Sequence, residues 1–257
     1  MLPMPPTLPM ASLSPVPSIG TMARMSTAKR SKSPRMTIAI LNQKGGVGKS
    51  TLATNLGAAA HLDGLRTIIL DLDSQGSALD WYAARQEGSR LEGLTVAGSD
   101  RVLTAPRFRE LTSGYDVAIL DGPPRLGDIT RAAAVAADVA LMPLRPGAFD
   151  WWACSDTLTL LDSADSVRDE LGRPPVRRMF ILNAADERTR LARAALDALG
   201  KVGEIVPVSI ASRIVYPEAS TAGEAVLTFA PGSPAADEIG RLWRALVACM
   251  NERNPNG

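Results

Sequence analysis

The stretch from Ile40 to Thr51, ILNQKGGVGKST, gathers residue types suited to holding phosphate. Gly45, Gly46 and Gly48 let successive backbone N–H groups turn toward one point, and a helix start behind them would add its dipole. Lys49 would then neutralise the β and γ phosphates of a nucleoside triphosphate. The hydroxyl of Ser50 would hold Mg²⁺, with Val47 and Thr51 completing the cradle. The plainer reading is a glycine-rich turn between a strand and a helix. Two details set the loop apart: a second lysine, Lys44, precedes Lys49 by five residues, and Gln43 stands where a glycine usually opens such a loop.

Two further stretches end an apolar run in acid. ILDLDSQGS carries Asp71 and Asp73 two residues apart, hence on one side of an extended chain. YDVAILDGPP runs into Asp121. A carboxylate at a strand tip beside a phosphate loop is where a Walker B acid holds Mg²⁺, commonly through water. Acids often end strands, so neither stretch decides anything alone. Following the loop in this order, they make a coherent nucleotide and metal site, in which Asp71 can equally serve only to brace the loop.

Positioning these groups requires strands that end together. Near-continuous apolar runs at 36–42, 66–73, 116–122, 138–144, 177–183 and 204–210, with a shorter one at 94–98, read as strands buried on both faces. Helical patterns fill 49–63, 77–87, 126–137, 150–171, 187–200 and 234–252. The alternation predicts a single three-layer α/β domain over 36–253, a mostly parallel, P-loop-type sheet flanked by helices, with 254–257 as a tail. The chemistry is then expected at the carboxyl ends of the strands.

Composition narrows the function classes. With a net charge of +1, no global field draws the chain to nucleic acid or membrane, so such binding needs a local patch. Cys154 and Cys249 lie far apart, which argues against a disulfide framework, a zinc ribbon or a cysteine-held cluster. No apolar run reaches the roughly 18–20 residues of a membrane span. Residues 1–35 are rich in Pro, Ser and Met, carry no acid and end in a basic cluster. They are expected to be disordered. A transit peptide, a basic tail adding phosphate affinity, and a misassigned start at Met22, Met25 or Met36 compete for that segment, the early proline run counting against a transit peptide's amphipathic helix.

The stretches NQKGGVGKST, LDLDSQGSALDW, DVAILDGPP and VPVSIASRIVYPEA together resemble the ParA partition ATPases, over roughly residues 36–250. The compact length is similar to their small ParF-like branch. KGGxGK[ST] is the deviant Walker A signature of the MinD/ParA group, in which the opening glycine is replaced as it is by Gln43. The resemblance implies that Lys44 reaches across an ATP-dependent homodimer to the partner's nucleotide. Two triphosphates held face to face need cations from both sides, so that role is physically sensible. It implies further that Asp73 positions the attacking water, that Asp121 is the Walker B acid, and that Gly122 to Pro124 form a second switch. No arginine finger is evident near the loop in sequence. An NTPase without one is slow until a partner completes the site, by roughly 10³–10⁵ in known GTPases.

By the same resemblance, Asn183 would read adenine and Pro207 would pack on its ring. Asn183 to Asp186 also has the outline of a guanine-reading NKxD, but its stacking lysine is missing, which favours ATP; a capping role for Asn183 stays open. Relatives bind DNA without sequence preference through basic residues of the C-terminal third, which here are Arg188, Arg190, Arg193, Lys201 and Arg213. An ordinary solvated helix face explains any one of them as well. Trp151 and Trp152 suit a core or a dimer interface. The implied protein is a cytoplasmic, nucleoid-associated ATPase that uses ATP and Mg²⁺ and answers to a ParB-like or cargo adaptor, moving a plasmid, a chromosome origin or a protein assembly. A MinD-like membrane cycler would need a more basic C-terminal helix than LWRALVACMNERNPNG. An iron–sulfur scaffold would need clustered cysteines.

Overall fold

The computed structural model describes residues 36–99, 103–146, 148–186 and 188–253, the side chains of 148–153 and 251–253 excepted. The segment 1–35, the tail 254–257 and the side chains of Trp151 and Trp152 lie outside the described residues. Seven strands are described: β1 (Met36–Ile40), β2 (Thr67–Asp71), β3 (Thr95–Gly98), β4 (Val117–Asp121), β5 (Val139–Leu144), β6 (Arg177–Leu182) and β7 (Glu204–Ile205). They form one sheet in the order β3-β2-β4-β1-β5-β6-β7, and every described pairing is parallel.

The helices are α1 (Lys49–Leu62), α2 (Ser77–Ala83), α3 (Ala105–Thr112), α4 (Asp128–Ala136), α5 (Ala148–Glu170), α6 (Arg190–Leu199), α7 (Val215–Thr221), α8 (Val226–Phe229) and α9 (Pro234–Arg253). They cover both faces of the sheet, and β1 shows why its strand reads as continuously apolar. Its Ile38 and Ile40 enter one core with Leu52 and Leu56 of α1 and Ile239, Leu242 and Leu246 of α9. Ala39 and Leu41 enter the other core with Ala133 and Ala134 of α4 and Leu161 and Ala164 of α5. Side chains alternate along a strand, so burial on both faces demands apolar residues at every position.

Helix α1 lies unusually close to the sheet. A Cβ on Gly57 would stand 2.5 Å from Ile69 Cδ1 of β2, nearer than a side chain tolerates. At the far end of α4, buried Arg168 donates to the carbonyls of Pro174 (2.7 Å), Val135 (2.9 Å) and Ala137 (2.5 Å), and Arg173 adds a bond to Val135 at 2.7 Å. Cations on the last carbonyls of a helix satisfy acceptors that have no intrahelical donor.

The last strand is shorter than the apolar run 204–210 suggests. Pro207 has no N–H to give, and Val208 N bonds back to Val206 O at 2.8 Å in a three-residue turn, so pairing resumes only as the isolated bridge Asn183 to Ile210. Three helices, α3, α7 and α8, have no counterpart among the helical patterns of the sequence. Pro217 disguises α7, although proline is tolerated in a first helical turn.

Candidate functional site

The phosphate loop leaves the carboxyl end of β1, between β4 and β5. The register pairs Ile40 with Asp121, and Asp71 with Asp121, so the tips of β1, β4 and β2 stand side by side. The loop residues and all three carboxylates therefore meet at one edge of the sheet, where open α/β sheets bind ligands. Gly48, at φ 92° ψ 26°, closes the loop in the left-handed conformation that glycine accepts without strain and starts α1 with no side-chain cap. The first N–H groups of a helix have no intrahelical acceptor, so an uncapped start suits an anion.

Asp121 is fully buried, and neither of its carboxylate oxygens has a hydrogen-bond partner. Burial lifts its carboxyl to about 7; the Ser50 hydroxyl and the Lys49 ammonium offset that, while Asp71 and Asp73 add to it. Ser50 lies close enough to influence the carboxyl without closing a regular bond. A buried carboxylate with both oxygens unmatched beside a hydroxyl is a donor set that fits Mg²⁺. Among the described residues no cluster of three acidic, His or Cys side chains could hold a metal, so any cation here would complete its shell with water and phosphate oxygens.

Lys49 is buried and its ammonium donates to the carbonyl of Lys44 at 3.0 Å. Burial pushes it below the usual lysine range, and Asp121 and then Asp73 partly restore it. The loop around it is braced by two asparagines. Asn42 accepts from Lys44 N and donates to Pro143 O, both at 2.8 Å, tying the loop to the end of β5. Asn183 donates to Val47 O at 2.6 Å, and a Cβ on Gly48 would collide with its amide nitrogen. Sequence reasoning missed Asn42, although it lies within the quoted loop. A third, Asn55, accepts from Val226 N at 2.9 Å and donates to Thr51 O at 2.8 Å, linking α1 to α8.

The two acids ending β2 have different surroundings. Asp71 is buried and accepts from Asp73 N (3.1 Å), Ala78 N (2.8 Å) and Leu79 N (3.2 Å). Burial raises its carboxyl, and those N–H groups work against the rise. Asp73 is half-buried, and its carboxylate accepts only from Gln75 N at 3.1 Å among the described contacts.

The remaining expected residues are scattered. Pro207 is exposed beyond β7. Asp186, the acid of the guanine-reading outline, is held by Arg188 at 2.9 Å through two bonds, which keeps its carboxyl below the usual range. Arg188, Arg190 and Arg193 gather at the start of α6 and Lys201 stands just past its end, all exposed. Arg193 donates to Arg188 O at 2.7 Å. Arg213 lies elsewhere, before α7, and its guanidinium is bound by buried Glu238 at 2.7 and 3.1 Å.

Residues 38–248 match the CobQ/CobB/MinD/ParA nucleotide binding domain. The chain belongs to this family and is an ATPase of the ParA/MinD superfamily. It is 33% identical over 244 residues to the chromosome-partitioning ATPase Soj of Thermus thermophilus, covering 84% of this chain and 96% of that one. Maintenance of carboxysome distribution protein A of Halothiobacillus neapolitanus is 28% identical over 216 residues, with 82% and 96% covered. A Cyanothece McdA variant in complex with ATP superimposes at TM-score 0.67 with 19% identity, covering 84% of this chain and 98% of that one, a likeness of fold.

Proposed function

We propose that the chain is a positioning ATPase that closes as a homodimer around two ATP molecules, holds nonspecific DNA in that state, and lets go when an adaptor stimulates hydrolysis. The observation that carries this reading is Asp121, buried and without a donor on either oxygen, beside Ser50 at the mouth of a lysine-bearing loop. The backbone of residues 44–51 and Lys49 hold the triphosphate. Ser50 and Asp121 hold Mg²⁺, which when bound neutralises charge on the β and γ oxygens. Asp73, the half-buried acid, orients the attacking water.

Lys44 completes the partner's site, and its main chain is already fixed for that purpose by Asn42 and Lys49. Asn183 keeps an amide hydrogen and its carbonyl oxygen for adenine after bracing Val47, and Pro207 offers an exposed ring. Arg188, Arg190, Arg193, Lys201 and Arg213 supply phosphate contacts to DNA, with Arg213 released from Glu238 when it does so. Such contacts carry no sequence preference. A ParB-like adaptor on a plasmid or chromosome origin is the partner, and the nucleoid is the track.

A protein assembly as cargo is the second reading, favoured by the likeness to the carboxysome distribution protein. A membrane cycle is disfavoured because α9 is committed to the core. Leu242, Trp243, Leu246, Cys249 and Met250 pack there, and the Trp243 indole donates to Asp63 at 2.5 Å. Sedimentation of the full chain with Mg²⁺ and a non-hydrolysable ATP analogue tests the proposal. Twice the protomer mass is expected for the wild type and protomers for Lys44→Ala; a wild type that stays single as concentration rises defeats it.

A further inference from the structure

No arginine lies in the loop or in α1, but the sheet brings two to the loop's flanks. The strand β1 that feeds the loop lies between β4 and β5. Arg125 stands four residues past the end of β4, and Arg145 is the first residue past the end of β5. Both are exposed, and neither guanidinium makes a hydrogen bond or ion pair among the described residues. This sets them apart from Arg188 and Arg213, whose charges are matched by Asp186 and Glu238.

The backbone at each position is anchored to the loop. The Cβ of Pro124 lies 3.9 Å from where a Cβ on Gly45 would stand, and the Thr130 hydroxyl holds Arg125 O at 2.9 Å. On the other flank, Asn42 bonds Pro143 O at 2.8 Å, and Asn183 N bonds Leu144 O at 2.7 Å while its side chain holds Val47. Both arginines thus stand next to segments fixed against the phosphate loop.

Charge balance gives them a task. The site already sets three carboxylates, Asp71, Asp73 and Asp121, against two ammonium groups, Lys44 and Lys49. A triphosphate adds several more negative charges, of which a bound Mg²⁺ would offset two, and a second copy doubles the remaining excess. Guanidinium groups bind phosphoryl oxygens bidentately and stay charged under all conditions.

We propose that Arg125 and Arg145 are additional phosphate-binding residues of this site, flanking the loop and contacting the terminal phosphate of ATP. The inference rests on the assignment of the loop as a triphosphate site. Their contribution should separate ATP from ADP, because only ATP carries the outermost phosphate.

The experiment measures ATP and ADP affinity and ATP turnover for the full chain and for Arg125→Ala, Arg145→Ala, the double variant and the two Arg→Lys variants, with thermal unfolding alongside. Each alanine variant should weaken ATP about five- to tenfold, as expected when a partly solvated charge-assisted bond is removed. ADP affinity and melting temperature should stay near wild type, and lysine should restore part of the loss. Unchanged ATP affinity and turnover in the double variant would overturn the inference while leaving the loop assignment intact. Equal losses for ATP and ADP would overturn it too, since the terminal phosphate would not be the group bound. A wild type that binds neither nucleotide would remove the loop assignment itself.

Discussion

Asp71 holds Asp73: the carboxylate of the first accepts the backbone N–H of the second at 3.1 Å, while its other oxygen fastens the first turn of α2. Two acids that look alike in LDLD differ by burial, one fixing the chain through three N–H groups and the other half-buried with a single turn bond. Asp71→Ala should therefore lower stability by about 2–3 kcal/mol, because buried N–H groups lose a charged acceptor. Asp73→Ala should shift it by no more than about 0.5 kcal/mol, as its one described bond is at the surface. Urea unfolding midpoints decide this, and equal losses would show that both acids are structural.

Turnover should separate the same pair in a different way. Asp73→Ala is expected to bind ATP normally and to accumulate the two-nucleotide dimer, since on the proposed mechanism only the attacking water loses its partner. Single-turnover hydrolysis and sizing with ATP provide the check. Wild-type turnover in this variant would strike Asp73 from the mechanism.

Acidity should matter through Asp121. Burial holds its carboxyl at about 7 in the folded chain, against about 3.9 when unfolded. Between those values the folded state binds the proton more tightly, so stability falls as pH rises across that window. Without nucleotide or Mg²⁺, Asp121→Asn should remove that part of the slope, leaving the variant the more stable of the two near neutral pH. The gap is a few kcal/mol at most, since each pKa unit is worth about 1.4 kcal/mol. Parallel pH profiles for the two proteins would contradict the burial argument.

Arg168 predicts a purely structural loss. Replacing it with Ala strands the carbonyls of Ala137 and Pro174, leaves Val135 O to Arg173 alone and opens a void, at a cost of about 3 kcal/mol or more. The loss should appear in denaturant unfolding with nucleotide affinity per folded molecule unchanged; an altered affinity would mean that this end of α4 reaches the site.

DNA binding should need ATP and weaken steeply with salt. On the proposed interface, replacing Arg190 or Arg193 should each reduce the log–log salt slope by about 0.9, the share of one phosphate contact. A slope unchanged in Arg190→Ala and Arg193→Ala would move the interface elsewhere, and binding without ATP would detach it from the cycle.

The sheet and the loop are legible in the sequence because both are written locally. Apolar runs ending in Asp71 and Asp121 mark strand tips, and GGVGKS has few other structural uses. What stays hidden depends on which strands become neighbours. Nothing between residues 36 and 145 says that β1 will lie between β4 and β5, so Arg125 and Arg145 read as unrelated surface charges until the strand order is known. The braces are hidden for the same reason: Asn183 meets Val47, and Asn55 meets Val226, across long stretches of chain. Pro207 and Pro217 mislead in opposite directions, one cutting short an apolar run and the other sitting within a real helix.

Gly57 turns out to set a height. With only a hydrogen there, α1 settles against β2 until Ile69 stops it, and Ser50, on the same rigid rod, is lowered to the level of Asp121. A methyl group at that spot would favour the helix by about 1 kcal/mol in isolation. In this molecule it would press on the packed Ile69 side chain, which must turn or yield before the rod can keep its place. The spacing of Ser50 from Asp121, the two proposed anchors of one cation, thus depends in part on the one place in α1 where nothing projects.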